Sequence, residues 1–176
     1  MEAITPETAL AIRDLLCETL EREMRTTQAV IAAVPEFGHD FRHEPRGRSA
    51  FELAWHMASS EAFFLESVAA GGFDAERRQK PKPPATLREV VLWHAENGAA
   101  ALARVRGMTA EALLKPIAFR AQLTLPAYRF LLLDLSHIIH HRGQLSTYLR
   151  PLGARVPAIY GESADSVSPG GAARQL

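Results

Sequence analysis

The sequence has almost no net charge, little cysteine and no long apolar run, and each shortage removes a class of function. Lys and Arg (20) balance Asp and Glu (20) across 176 residues, giving a formal net charge of +0 and a pI of about 7.1. A neutral chain lacks the basic footprint that nucleic acid or an anionic membrane would select. The densest basic stretch, residues 42–48, is short, contains Glu44 and reads as a solvated loop, with an anionic substrate as the minor alternative. The single cysteine, Cys17, cannot form an internal disulfide, which fits a reducing compartment. It reads as a small helix residue rather than a nucleophile, because no basic partner lies near it in sequence. No apolar run is long enough to span a bilayer, and the N-terminus lacks the basic region and apolar core of a signal peptide. A cytoplasmic protein is expected. Hydrophobic content of 47% and charged content of 23% are those of a globular domain with a real core.

Amphipathic helices are what the sequence does contain. Thr5-Pro6-Glu7 places an N-cap, a first-turn proline and a first-turn acid at the start of a long helix that ends before Pro35. Ser49–Glu52 and Thr86–Glu89 are capping boxes that open a second helix, stopping at Gly71-Gly72, and a third, closed by Gly107. Residues 109–114 read as a short helical turn, and 115–125 as irregular or briefly extended. The last long helix lies within residues 126–152, with Gly153 as its stop signal. Gly143 inside it implies close approach by another segment. Residues 36–48 and 107–125 are long connections, so crossovers are expected in an all-α four-helix bundle without a second domain. Residues 73–84 read as an exposed linker and 168–176 as a mobile tail of a single domain covering 1–176.

The last helix carries the chemistry. His137 and His141 stand one turn apart on one face, the spacing with which a helix presents two imidazoles to one metal ion. Leu131, Leu135, Ile138, Ile139, Leu145, Leu149 and Leu152 form the core arc. His137, His141, Gln144 and Tyr148, with Asp134 close by, form a polar stripe along its edge, while His140, Thr147 and Arg150 turn towards solvent. His56 lies on an apolar side of the second helix, where a satisfied core histidine competes with a ligand. His94, beside Trp93 on the third helix, reads as an ordinary helix histidine.

Two strings carry a family resemblance: Glu52-Leu-Ala-Trp-His56-Met-Ala-Ser-Ser-Glu61 and His137-Ile-Ile-His-His141-Arg-Gly-Gln-Leu-Ser-Thr-Tyr-Leu-Arg150-Pro-Leu-Gly153. With Val156-Pro, Ile159-Tyr-Gly161 and Ser163-Ala-Asp165 behind them, the chain resembles the DinB/YfiT-like superfamily of small helical metalloproteins over nearly its whole length. The resemblance implies a left-handed or crossover-connected four-helix bundle, often a homodimer. It also implies a divalent metal held by three histidines, here His56, His137 and His141.

Three imidazoles leave open coordination positions, the pattern of catalytic rather than structural sites. The ligand set suits Zn or Ni, with Fe or Cu as alternatives. Asp134 and Glu52, one turn before His137 and His56, are candidates to orient the ligand rings, and exposed helix acids are the competing reading. His140, Asp134 and Tyr148 are the candidate catalytic groups. Gln144 and Arg142 are the candidate cofactor- or substrate-binding groups, with packing or salt bridges as the alternative for Arg142 and Arg150. By analogy with thiol-dependent branches of the superfamily, the expectation is a metal-dependent enzyme that transfers a low-molecular-weight thiol to a small electrophilic molecule. A metal-dependent hydrolase, or a non-catalytic metal-binding stress-response dimer, is the alternative.

Overall fold

The computed structural model describes residues 4–73, 81–120 and 123–166. In chain order it contains α1 (Pro6–Ala32), α2 (Ala50–Ala69), α3 (Leu87–Arg106), the short α4 (Ala110–Leu114), the strands β1 (Pro116–Phe119) and β2 (Leu123–Pro126), and α5 (Ala127–Leu149). A 3-10 turn at Arg150–Leu152 extends α5 to Gly153, whose φ of +71° is the left-handed stop that glycine adopts without penalty. The helix starts follow from their caps. Thr5 Oγ1 accepts the Thr8 amide at 3.2 Å, and Ser49 with Glu52 and Thr86 with Glu89 close reciprocal capping boxes.

The segment without a clear sequence pattern proves to be an antiparallel hairpin, with Pro116 opposite Pro126 and Phe119 opposite Leu123. Its alternation was faint because only Ile117 of the four β1 residues is buried. Gly143 corrects another expectation. It is exposed, and a Cβ there would meet nothing within 4 Å, so no segment approaches it. Residues 74–80 of the expected linker and the tail 168–176 lie outside the described residues.

The long helices pack as a ring in the order α1, α3, α2, α5. The chain therefore crosses the bundle diagonally between α1 and α2 and again between α3 and α5, at the two long connections marked in the sequence. Contacts fix the directions. Trp55 meets Trp93 and Glu66 meets Arg104, so α2 and α3 run parallel. Arg13 reaches the Met108 carbonyl and Glu21 pairs with Arg106, so α1 and α3 run antiparallel. His56 meets His141 while Phe64 meets His137, so α2 and α5 are antiparallel.

Apolar residues divide into two clusters along the bundle. One joins Leu16, Leu20, Leu65, Leu102, Phe130 and Leu131; the other joins Ile31, Leu53, Met57, Val90, Ile138 and Leu145. Each such leucine or isoleucine contributes roughly 1.5–3 kcal/mol by leaving water. At the waist between the clusters lie Glu61, His94 and Asp134, all with 0% exposure.

Candidate metal centre

α2 and α5 together build the site. The antiparallel pairing brings the middle of α2 against His137 and His141, one turn apart on α5, and all three imidazoles are half-buried. His56 Nε2 lies 3.2 Å from His137 Nε2 and 3.2 Å from His141 Nε2. The ring centroids are 4.6–5.0 Å apart and each pair of rings is nearly perpendicular. One nitrogen from each ring lies within 4.8 Å of the others. Donors held about 2.0–2.1 Å from one ion at a tetrahedral angle stand about 3.3 Å apart, so these three nitrogens fit a divalent first-row ion.

Protonation state agrees with that use. Burial pushes the His137 imidazole down to about 4, and the neighbouring charges of His141, His140 and Arg48 act in the same direction. Burial also lowers His141, partly offset by Gln144. Both rings are therefore neutral at pH 7, the form that ligates metal. His141 Nδ1 stands 3.1 Å from Gln144 Oε1. An Nδ1–H donating to that oxygen fixes the tautomer and leaves the Nε2 lone pair facing His56. Phe64 stacks over His137, with centroids 6.1 Å apart and planes at 25°.

The other sequence candidates fall in distinct places. His140 is exposed beside His141, with centroids 4.9 Å apart, and is the candidate acid–base group at the rim. Tyr148 is 2% exposed, and its hydroxyl donates to the Arg48 carbonyl at 3.1 Å. Asp134 is wholly buried, and neither carboxylate oxygen has a hydrogen-bond partner among the described residues. Burial first, and the charge of Glu61 second, hold its pKa well above the usual carboxylate range.

Arg142 is committed elsewhere. It is 1% exposed and pairs with Glu23 at 2.6 Å, with the Tyr160 hydroxyl bonded to both partners. Glu52 completes the α2 capping box and takes both arms of Arg42, at 2.7 and 3.0 Å, which pulls its pKa down to about 2. It is therefore engaged at the start of α2. Arg150 pairs with Asp165 at 3.1 Å. His94 binds Glu61 at 2.5 Å in the buried waist.

One feature escapes the sequence reading: Gln144 is a candidate there for binding cofactor or substrate, whereas the structure makes it the partner of His141, and its i+3 spacing is the signal that points to it.

The fold and site define a helical-bundle protein with three converging histidines able to bind a metal ion. The DinB family model matches residues 7–170, and the chain belongs to the DinB family. A DinB-like protein of Bacillus subtilis has a similar structure: TM-score 0.72 and 19% identity over 84% of this chain and 99% of that one. A DinB-like protein of Bacillus cereus superposes with TM-score 0.70 and 20% identity, over 82% and 95% of the two chains. These likenesses establish the fold. No curated protein matches the chain.

Proposed function

We propose that this DinB-family chain is a metal-dependent enzyme that uses His56, His137 and His141 to hold a zinc or nickel ion. On this reading it transfers a low-molecular-weight thiol to a small electrophilic substrate. The observation that carries the reading is the convergence of three Nε2 atoms from half-buried rings, with solvent still reaching them. Bound there, a divalent ion would act as a Lewis acid, lowering the proton affinity of a thiol or water brought to it.

The protein's own groups supply the rest. Gln144 fixes the His141 tautomer, and Phe64 walls the His137 side. His140, exposed at the rim, is placed to accept the proton a thiol loses and to return one to the product. Asp134 and Tyr148 take no direct part in this scheme: one is sealed in the core and the other is bonded to a backbone carbonyl.

A cytoplasmic setting suits a thiol cosubstrate, and the lone Cys17 is buried and free. No helix among the described residues is long and apolar enough to cross a membrane. A homodimer is part of the same reading, with exposed Leu132 and Leu133 on α5 as its apolar contact.

Elemental analysis of untagged protein tests the proposal. About one first-row ion per chain, lost in both His56→Ala and His137→Ala, supports it; thiol transfer by the loaded protein to small electrophiles then tests the reaction. No ion above background, with none taken up from added zinc or nickel, refutes it.

A further inference from the structure

We propose that Phe64 and the phenylalanines behind it form the apolar subsite of the three-histidine centre, so that the thiol or its acceptor carries a flat apolar group such as a phenyl ring. The inference rests on the metal-dependent reading above and names the class of ligand that the site would take.

The two ends of the site differ in character. α2 and α5 are antiparallel, so the direction from His56 towards the C-terminus of α2 is also the direction from His141 through His137 towards the hairpin. Around His141 the border is polar: Gln144 bonds that ring, and exposed His140 stands beside it. Around His137 it is aromatic. His56, Ser60 and Phe64 recur every four residues on α2 and are all half-buried, so one stripe of the helix leads from a ligand imidazole to a phenyl ring. Ser60, between them, turns its hydroxyl back to the carbonyls of His56 and Met57, which spends its donor within its own helix.

Phe64 stacks on His137, with ring centroids 6.1 Å apart, and meets Phe63, Phe73 and Phe119 at 6.0, 5.3 and 5.4 Å. Phe130 joins the group against Phe73 at 4.9 Å. Five of the chain's eight phenylalanines therefore gather at this end of the centre, and burial divides them. Phe73 and Phe130 are core residues, at 8% and 0% exposure, and anchor the cluster. Phe63, Phe64 and Phe119 stay half-buried. Apolar area left in water beside a metal site is a recognition surface: a ligand that covers it gains the transfer free energy of that area, and a flat ring gains an offset or edge-to-face contact as well. With Ser60 spent, these side chains offer a ligand no hydrogen-bond donor, so a polar substituent placed against them would lose its water without compensation. Aromatic walls with a few fixed polar groups at one end are the ordinary make-up of a small-molecule site.

The test uses cobalt-loaded protein, whose visible absorption reports a thiol entering the site. The probes are phenylmethanethiol and 2-mercaptoethanol, the first apolar and flat, the second small and polar. The quantity read is the ratio of their affinities on the same loaded protein, so a change in metal content drops out of it. The wild type is expected to prefer phenylmethanethiol by about tenfold. Phe64→Ala should remove most of that preference. Phe64→Leu should lose about threefold, because the flat face is gone. It keeps an apolar side chain in the cluster, so it decides the question even where the alanine variant does not fold. A ratio near one in the wild type, or the wild-type ratio persisting in the folded variants, overturns the Phe64 assignment alone. Failure of the wild type to take up cobalt overturns the metal-dependent reading and the assignment with it.

Discussion

Asp134 gives the sharpest test of the physics. It is wholly buried on α5, without a hydrogen-bond partner among the described residues, and close enough to Glu61 to feel its charge. Burial and that charge raise its pKa well above the ordinary 3.8. The native state therefore keeps a proton that the unfolded chain gives up. With the folded pKa above the unfolded one, the associated stability is fully present below about pH 3.8 and is lost as pH rises through the folded value. Over that window one proton's difference lowers stability by about 1.4 kcal/mol per pH unit. Asp134→Asn keeps the shape and abolishes the titration. Urea denaturation of chelator-treated wild type and variant, run at half-unit steps from pH 4 to 8, isolates the effect. The variant should gain on the wild type by about that slope and then level off. His137 works in the opposite direction: its pKa falls from 6.5 to about 4, so its stability is lost as pH drops. Both proteins share that contribution, and it cancels in the difference. A stability difference independent of pH would show that Asp134 is ionised in the native protein and that the argument from burial is wrong.

Other consequences follow from the same geometry. Arg142→Met strands the buried Glu23 carboxylate and should cost about 3–5 kcal/mol in chemical denaturation, whereas Glu23→Gln combined with Arg142→Met should cost clearly less than the sum of the single changes. Gln144→Ala releases the His141 ring and should weaken zinc binding about 10–100-fold in competition with a chromophoric chelator, with the fold intact by circular dichroism. Two glycine substitutions should have opposite signs. Gly153→Ala, forced into a left-handed φ of +71°, should lower stability by about 1 kcal/mol, and Gly143→Ala, exposed in the helix with open space around it, should raise it by about 0.5–1 kcal/mol.

The helices were legible because their signals are local. Thr5, Ser49 and Thr86 each announce a helix start within four residues, and each caps as read. The histidine spacing on α5 is equally local, and the resemblance added His56. What could not be read depends on partners far away in sequence. Arg142 lies in the same polar string as the ligands, but Glu23, 119 residues away, draws it into the core. Asp134 was placed near the ligand stripe, whereas the ring order of the helices puts it opposite Glu61 on α2 at the waist. Glu52 was a candidate to orient His56, but its bonds to the Ser49 amide and to Arg42 from the preceding loop hold it at the cap. A helical wheel gives a face; it does not give the neighbour opposite that face.

That distribution of acids also explains the character of the histidine centre. A carboxylate touching a ligand imidazole would raise its proton affinity and offset the charge of an ion bound beside it. Here Glu23 is joined to Arg142, Glu61 to His94 and Glu52 to Arg42, and Asp134 is driven towards its neutral form. The partner of His141 is instead the neutral amide of Gln144. Among the described residues, the groups that act on His137 and His141 are uncharged or positive, which keeps those two rings unprotonated at neutral pH and leaves the charge of a bound cation to act on an incoming anion. Gln144→Glu would reverse that design. It should hold the ion at least as tightly as the wild type in competition with a chromophoric chelator, and it should raise the proton affinity of the metal-free His141 ring.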